Sequence, residues 1–173
     1  MALLLIAGGP ATGKSTTARL VAESRSKSLL VDVDRIRDTM VVRGAVLPSP
    51  EWPPELVEQL RAARRAAVGL ARAYDAIGFD VVIDDFLDPQ SLLTEYDELS
   101  DLDIVRVVLM TSKETAHQRN AARGADLEYI DAAIGFHAEH APSPAQLVER
   151  GWHVVETSEI SAAQAAERVL ALL

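Results

Sequence analysis

The sequence contains no cysteine among its 173 residues and has few aromatic residues. The lack of cysteine excludes disulfide scaffolds and zinc or iron–sulfur sites with cysteine ligands. Aromatic residues make up 5% of the chain while hydrophobic residues make up 49%, and the high share of alanine and leucine is typical of a helix-rich domain. We therefore expect one compact domain over residues 1–173.

Basic residues are also scarce, with 17 Lys and Arg against 26 Asp and Glu and a formal net charge of −9. Such a chain lacks the broad positive field with which nucleic-acid and membrane-surface proteins attract phosphates. The apolar run Met1–Ala7 is too short to span a bilayer and has no basic segment before it. We expect small-molecule partners, no nucleic-acid or membrane partner, and by default a cytoplasmic location.

Five short apolar runs alternate with helical patterns along the chain. The runs are Leu3–Ala7, Ser28–Val33, Phe79–Ile83, Ile104–Met110 and Trp152–Val155. Each is rich in aliphatic or β-branched residues, and the first is apolar at every position, as in a strand buried on both faces. Strands that alternate with helices predict an α/β fold with a doubly wound parallel sheet and helices on both faces.

The clearest helical pattern lies between the second and third strands. Its apolar stripe consists of Leu56, Leu60, Ala63, Ala67, Leu70, Tyr74 and Ile77, and it leaves out Arg61, Arg64, Arg65 and Arg72. Pro53 and Pro54 suit the first turn of this helix and Gly78 its end. Other helix starts are predicted at Asp88-Pro89, at Thr111 with Glu114, and at Ser161 with Gln164.

The strongest motif follows the first strand directly. The segment Gly8-Gly9-Pro10-Ala11-Thr12-Gly13-Lys14-Ser15 satisfies the phosphate-loop pattern G-x-x-x-x-G-K-[ST] in full. Its glycines let successive backbone N–H groups converge on phosphate oxygens, and the next helix points its positive end at the same anion. The predicted nucleotide-binding residues are therefore Gly8, Gly9, Ala11, Thr12, Gly13, Lys14, Ser15 and Thr16.

The chemistry of this loop predicts a nucleotide and a metal ion. Lys14 would contact the β and γ phosphates as a catalytic residue, and the Ser15 hydroxyl would ligate Mg²⁺. The sequence has neither a guanine-reading N-K-x-D segment nor a D-x-x-G switch after the third strand. ATP is therefore the favoured nucleotide.

Aspartates follow the second and third strands, at the edge where ligands bind in such sheets. Asp32 and Asp34 should share one face by the two-residue period of a strand, and Asp84 and Asp85 end the third. Asp32 and Asp84 are equal candidates for the metal shell. Asp34 would receive the proton of the attacking hydroxyl, with helix N-capping as its alternative, and Asp85 would contact the acceptor unless it only begins a turn.

Arginines and one tryptophan complete the candidate site. Arg119 and Arg123 lie one turn apart on a predicted helix and could close as a lid over the transferring phosphate, or form an ordinary solvated helix end. Arg37, with Arg35, would bind an anionic acceptor or face solvent. Trp52 would stack on the acceptor or pack in the first turn of the next helix.

These residues together resemble a known family. The loop with Thr16, the Asp-x-Asp at Asp32 and Asp34, the segment Val82–Leu87 and the run Arg119–Gly124 look like a small P-loop phosphotransferase of the chloramphenicol phosphotransferase type. Shikimate kinase and gluconate kinase are more distant relatives. The resemblance implies a five-stranded parallel sheet of order 2-3-1-4-5, ATP with Mg²⁺, and an aspartate at the position of Asp34 that acts as base.

The sequence thus predicts an ATP-dependent phosphotransferase that acts on a hydroxyl of a small molecule, such as an antibiotic, a sugar or a similar metabolite. Two alternatives stay open. One is a nucleotide-binding switch module with little transfer activity, and the other is a polynucleotide 5′-hydroxyl kinase, which would need a basic groove. Neither the acceptor nor the oligomeric state can be read from the sequence.

Overall fold

A computed structural model describes residues 2–46, 52–87, 93–124 and 127–173 of the chain. Its five strands are β1 (Leu3–Gly8), β2 (Ser28–Asp32), β3 (Asp80–Phe86), β4 (Ile104–Met110) and β5 (His153–Glu156). They pair in parallel in the order β2-β3-β1-β4-β5. The predicted fold class and strand order are confirmed.

Helices connect the strands. They are α1 (Lys14–Glu23), α2 (Val33–Arg35), α3 (Pro54–Asp75), α4 (Lys113–Arg123), α5 (Leu127–His140), α6 (Pro144–Glu149) and α7 (Ala162–Leu170). A π-helical turn, Ile36–Met40, extends α2, and a 3₁₀ segment spans Thr94–Leu99. Within the described ranges, every helix is too short or too polar to cross a lipid bilayer.

Strand β1 is buried on both faces, as its continuous apolar run predicts. Leu3, Leu5 and Ala7 pack into a core that includes the small residues of α3. Leu4 and Ile6 point the other way, into a second core formed with α1 and α7. Because both faces are covered, the carboxyl end of β1 is held in a fixed place, and the loop that follows starts from a rigid support.

Helix α3 buries a slightly different stripe from the predicted one. Leu70 and Ile77, which the period assigned to the stripe, are 38% and 61% exposed. Arg64, which the period placed off the stripe, is 1% exposed because it forms a buried ion pair with Asp85 at the end of β3. The prediction for these three residues was therefore wrong. Ile77 lies beyond the end of α3, and a charged partner outweighs hydrophobic periodicity at Arg64.

The helix caps are partly as predicted. Ser161 and Gln164 form the predicted capping box. The cap of α4 is Ser112 and not Thr111, whose hydroxyl lies 3.3 Å from the Ser158 hydroxyl instead. The predicted helix start at Asp88-Pro89 and the proline-rich residues 47–50 lie outside the described residues.

Asp80 anchors the start of β3. Its carboxylate accepts hydrogen bonds from the Ala2 amide at 2.6 Å and from Arg25 Nε at 2.8 Å. Burial raises the pKa of Asp80, but the hydrogen bonds from Arg25 and Ala2 outweigh it, and the pKa falls below its ordinary value. The ionised carboxylate therefore ties the first strand and the end of α1 to β3.

Replacing this anchor should destabilise the protein in a pH-dependent way. We expect Asp80→Asn to lower the free energy of unfolding by about 1 kcal/mol at pH 7, because it removes charge-assisted hydrogen bonds. The folded pKa lies below the unfolded one, so this contribution is present above about pH 4 and is lost as the pH falls through the folded pKa. Urea unfolding at pH 7 and below pH 3 measures the free energy of unfolding of the native and Asp80→Asn chains. A difference between the two chains that is equal at both pH values would contradict this account.

Candidate functional site

The loop between β1 and α1 adopts a conformation that gathers its backbone amides. Ala11 and Gly13 have left-handed φ values of 59° and 93°, and the Thr12 hydroxyl donates to the Gly9 carbonyl at 3.0 Å. Gly13 precedes the first turn of α1, which begins at Lys14. The loop and this turn contain all eight predicted nucleotide-binding residues, Gly8 to Thr16 without Pro10. The N–H groups and the helix end form the arrangement that binds phosphate.

The first two glycines of the loop have no room for a side chain. A Cβ on Gly8 would lie 2.6 Å from the Thr12 hydroxyl and 2.8 Å from the Leu109 carbonyl oxygen. A Cβ on Gly9 would lie 2.6 Å from Nδ1 of His137, whose imidazole covers the loop. Close packing therefore explains glycine at both positions.

Lys14 lies between two carboxylates. Its Nζ is 3.6 Å from Asp34 Oδ2, 3.7 Å from Asp84 Oδ1 and 3.4 Å from the Ser15 hydroxyl. Burial lowers the pKa of Lys14, but Asp84 and Asp34 more than compensate and hold it above its ordinary value. The ammonium group is therefore charged at neutral pH, at the point where the predicted phosphate and acceptor sites meet.

The structure separates the two aspartates that strand geometry placed on one face. Strand β2 ends at Asp32, so the two-residue period does not apply to Asp34, which lies in the first turn of α2. Asp32 is the N-cap, since it accepts the Arg35 amide at 3.1 Å, and the alternative of Asp34 as cap is wrong. The Asp34 side chain is 39% exposed and open to a ligand.

Asp32 and Asp84 are direct neighbours across β2 and β3, and the Ser15 side chain, in the first turn of α1, interacts with Asp84. Burial raises the pKa of Asp84 although Lys14 and the Ser15 hydroxyl oppose the rise, and its buried Oδ1 accepts no hydrogen bond within the described part of the chain. No described group of three His, Asp or Glu side chains encloses a metal by itself. This donor set fits Mg²⁺, which takes one or two protein oxygens and fills its remaining positions with water and phosphate.

Arg119 on α4 lies against the nucleotide loop. Its Nη1 is 3.4 Å from the carbonyl oxygens of Ala11 and Thr12, and its Nη2 donates to the Thr157 carbonyl at 2.6 Å. Thr157 follows β5 and donates from its own hydroxyl to the Thr12 carbonyl at 3.0 Å. The guanidinium therefore ties the loop after β1 to the turn after β5, a role that the sequence did not suggest.

A pocket of about 360 Å³ opens beside this bridge. Thr16, Arg119 and Arg123 line it together with Thr157, Ile160 and Ser161, at the start of α7. A larger groove of about 520 Å³ runs along β5 and contains none of the loop residues, so it is separate from the site. Arg123, predicted to act with Arg119, thus lies with it at the end of the loop away from Asp34.

Asp85, predicted to contact the acceptor, is engaged elsewhere. Its Oδ2 accepts from Arg64 Nε at 2.8 Å and from the Tyr96 hydroxyl at 2.9 Å, and its side chain is fully buried. Burial raises the pKa of Asp85 while the Arg64 guanidinium lowers it. The carboxylate has no open side for a ligand, so the prediction that Asp85 contacts the acceptor is wrong.

The other two predicted acceptor residues flank the site. Arg37 is 6% exposed in its side chain, and its Nη2 lies 3.4 Å from Asp34 Oδ1 and 2.8 Å from Asp38 Oδ2. The Trp52 ring lies 6.3 Å from the ring of Phe86, the last residue of β3. The structure thus brings Arg37 directly to Asp34 and places Trp52 at the end of the neighbouring strand.

Helices α4 and α5 pack on the loop where a lid was predicted. Ala11 of the loop forms a small buried cluster with Ala116 of α4 and Ile134 of α5. His137 of α5 covers Gly9, a contact that no local pattern in the sequence indicates. An apolar contact and an imidazole therefore seat α4 and α5 on the phosphate loop.

Gly9 and His137 provide a test of this packing. We expect Gly9→Ala to lower the free energy of unfolding by about 1–3 kcal/mol, because the new Cβ collides with the imidazole. The same change should lower the free energy of unfolding by clearly less in a His137→Ala background, because the imidazole ring is absent there. Thermal and urea unfolding of the four chains measure the coupling.

Gly69 is the matched control, because a Cβ there meets nothing within 4 Å and the residue lies inside α3. Gly69→Ala should stabilise the chain by up to about 1 kcal/mol through helix propensity. An equal cost of Gly9→Ala with and without the imidazole would show that His137 does not restrict the loop.

Comparisons with known proteins agree with this geometry. Residues 3–135 match a family described as AAA domain. A search of curated proteins finds no significant match. Among solved structures, a sugar kinase from Janibacter sp. HTCC2649 aligns with a TM-score of 0.70 at 17% identity, over 99% of this chain and 93% of that chain.

Two further structures align over 99% of this chain at 17% identity. A tunicamycin resistance protein from Deinococcus radiodurans gives a TM-score of 0.65 over 94% of its chain, and a shikimate kinase from Acinetobacter baumannii gives 0.66 over 92%. At this identity the similarity shows the fold. Together with the family match, it confirms the predicted resemblance to small P-loop phosphotransferases.

Proposed function

Because the chain belongs to the AAA domain family and carries an aspartate beside its P-loop lysine, we propose that it is an ATP-dependent phosphotransferase with a small-molecule alcohol as acceptor. The observation that carries the proposal is the 3.6 Å separation of Asp34 Oδ2 from Lys14 Nζ. A lysine that holds the γ-phosphate and an exposed carboxylate next to it are the two groups that transfer to a hydroxyl needs.

The nucleotide would lie along the loop from Asp34 toward α7. Its phosphates would bind to the loop amides and to Lys14, and its base would enter the pocket of about 360 Å³ beside Arg119 and Thr157. Arg119 is already held by backbone carbonyls, so its proposed role is to position the nucleotide. Arg123, exposed on the next turn, is the arginine with freedom to neutralise charge on the phosphates.

Mg²⁺ would be held by Ser15 and, through water, by Asp32 or Asp84, and when bound it neutralises negative charge on the β and γ phosphates. The buried Oδ1 of Asp84, which accepts no hydrogen bond among the described residues, and the neighbouring Asp32 support this assignment. Asp84 also contacts Lys14, so this carboxylate helps to keep the ammonium in line with the loop.

The chemical step follows from these positions. The acceptor oxygen attacks the γ-phosphorus and forms a new P–O bond, while the bond from the γ-phosphorus to the bridging oxygen of ADP breaks. The hydroxyl proton passes to the Asp34 carboxylate, and the bridging oxygen leaves with its electron pair on ADP. Lys14 stabilises the charge on the transferring group, so positioning and electrostatics supply most of the catalysis.

Asp34→Asn tests the proposed base. We expect ATP affinity to change less than about threefold, because Asp34 is not part of the phosphate cradle, and turnover to fall about 10² or more, because the amide cannot take the proton. Calorimetry with Mg²⁺ measures binding, and coupled ADP release measures turnover. Asp103→Asn, an exposed aspartate before β4, is the matched control and should behave like the native chain.

The acceptor screen for this assay covers sugars, hydroxylated antibiotics, nucleosides, shikimate-like acids and short oligonucleotides. Turnover with any small alcohol that depends on Asp34 supports the proposal. Preferred transfer to the 5′ end of an oligonucleotide would favour the polynucleotide kinase instead. ATP binding without transfer to any acceptor would favour the switch module.

A further inference from the structure

One peptide of the phosphate loop has little local restraint on its orientation. The peptide between Thr12 and Gly13 leads into a glycine with a φ of 93°, and glycine adopts both signs of φ with similar ease. A Cβ on Gly13 would meet no described atom within 4 Å, so the space around this residue is open. The direction of the peptide must therefore be fixed by a hydrogen bond from elsewhere in the protein.

The direction of this peptide matters for anion binding. The peptide bonds of the described residues are trans, so each carbonyl and the N–H of the next residue point in opposite directions. When the Thr12 carbonyl points away from the phosphates, the Gly13 N–H points toward them. The flipped peptide would aim a carbonyl oxygen at the phosphates, and an attraction would become a repulsion.

The hydroxyl of Thr157 supplies a hydrogen bond to this carbonyl. It donates to the Thr12 oxygen at 3.0 Å. Arg119 Nη1 also approaches the Thr12 oxygen, but at 3.4 Å, which is longer than the usual N–H···O range of about 2.7–3.2 Å. The hydroxyl is therefore the stronger of these two restraints on the peptide.

Thr157 is itself held firmly at the end of the sheet. Its backbone N–H donates to the Met110 carbonyl, at the end of β4, at 2.8 Å, and its hydroxyl lies 2.9 Å from the same oxygen. A hydroxyl has one proton, and because the Met110 oxygen already accepts the amide, that proton can be directed to Thr12. The residue is 2% exposed, so water competes little for the bond.

The strand order brings this hydroxyl to the loop. Strand β4 lies between β1 and β5, with Leu109 paired to Gly8 and Met110 paired to Glu156. The loop after β1 and the turn after β5 therefore leave the sheet on the two sides of the same strand end. A side chain on the first residue of that turn needs only to cross the end of β4 to reach the loop.

From these contacts we infer that Thr157 is a positioning residue for phosphate binding. Its hydroxyl holds the peptide between Thr12 and Gly13 so that the Gly13 N–H is aimed at the phosphates. Thr157 also borders the pocket proposed for the base, and the experiment below separates the two roles. The inference rests on the proposed function, because it concerns how the loop of that site holds the phosphates of the nucleotide.

Thr157→Val and Thr157→Ser test the inference with two probes, ATP and inorganic tripolyphosphate, each with Mg²⁺. Valine keeps the volume of the side chain and removes the shorter of the two contacts to the Thr12 carbonyl. We expect it to weaken the binding of both probes by the same factor of about ten, because each loses one well-aimed amide. Serine keeps the hydroxyl, and its affinities should stay within about threefold of the native ones. Calorimetry without an acceptor measures all of them.

Thr111→Val is the matched control for this substitution. The Thr111 hydroxyl lies in the turn after β4, 3.3 Å from the Ser158 hydroxyl, and is not among the groups that hold the loop. The change should leave the affinities for both probes as they are in the native chain. Thermal unfolding of the three variants checks that each chain folds.

The Gly13 amide gives a direct readout of the peptide. In nuclear magnetic resonance, we expect its proton to move downfield when tripolyphosphate is added to the native chain, because the N–H then donates to an anion. The shift should be clearly smaller in Thr157→Val and close to the native one in Thr157→Ser. Shifts of equal size in the native and valine chains would contradict the inference.

The binding results separate the inference from its alternatives. A loss of affinity for ATP but not for tripolyphosphate would assign Thr157 to the base pocket, and an equal loss in Thr157→Ser would show that the hydroxyl is not the group that acts. Lower thermal stability with unchanged affinities would make its role structural. Each of these results overturns the inference. Binding of ATP by the native chain without transfer to any acceptor would instead overturn the proposed function, and a native chain that binds neither probe would overturn both.

Discussion

The structure depends on one constraint: the backbone amides of a tight loop must converge on a single anionic point, and one ammonium group must lie beside it. Strand β1 meets the first part because it is packed on both faces, and the two cores hold the strand end from which the loop begins. Lys14 meets the second part because Asp34 and Asp84 hold it from two strand ends. The parallel sheet brings these strand ends to the same edge, and the chemistry follows from that meeting.

The fold could be predicted from the sequence because it depends on local signals. Continuous apolar runs identified the five strands, and the glycine and lysine spacing identified the loop without any knowledge of distant contacts. The clearest error occurred where a distant partner changed a local rule. Arg64 lies off the apolar stripe of α3 by periodicity, yet Asp85, far along the chain, draws it into the core. No reading of α3 alone contains that information.

The sequence predicted the side chains at the centre of the candidate site but not the contacts of the residues around them. Aspartates at strand ends indicated Asp34 and Asp84, and both lie at Lys14. The sequence could not show that Arg37 is paired with Asp38, that Arg119 donates to carbonyls after β5, or that His137 covers Gly9. Those three facts depend on how α2, α4 and α5 pack, and they determine which charges remain free to meet a ligand.

The bridge formed by Arg119 has a consequence for nucleotide choice. One guanidinium fastens the loop after β1 to the turn after β5, and the Thr157 hydroxyl adds a second tie between the same two segments. In the proposed function, the base of the nucleotide would enter the pocket beside this bridge, and the two ties would set the distance between that pocket and the phosphate loop. A nucleotide bound in this way would be selected by the distance between its base and its phosphates as well as by its chemical groups.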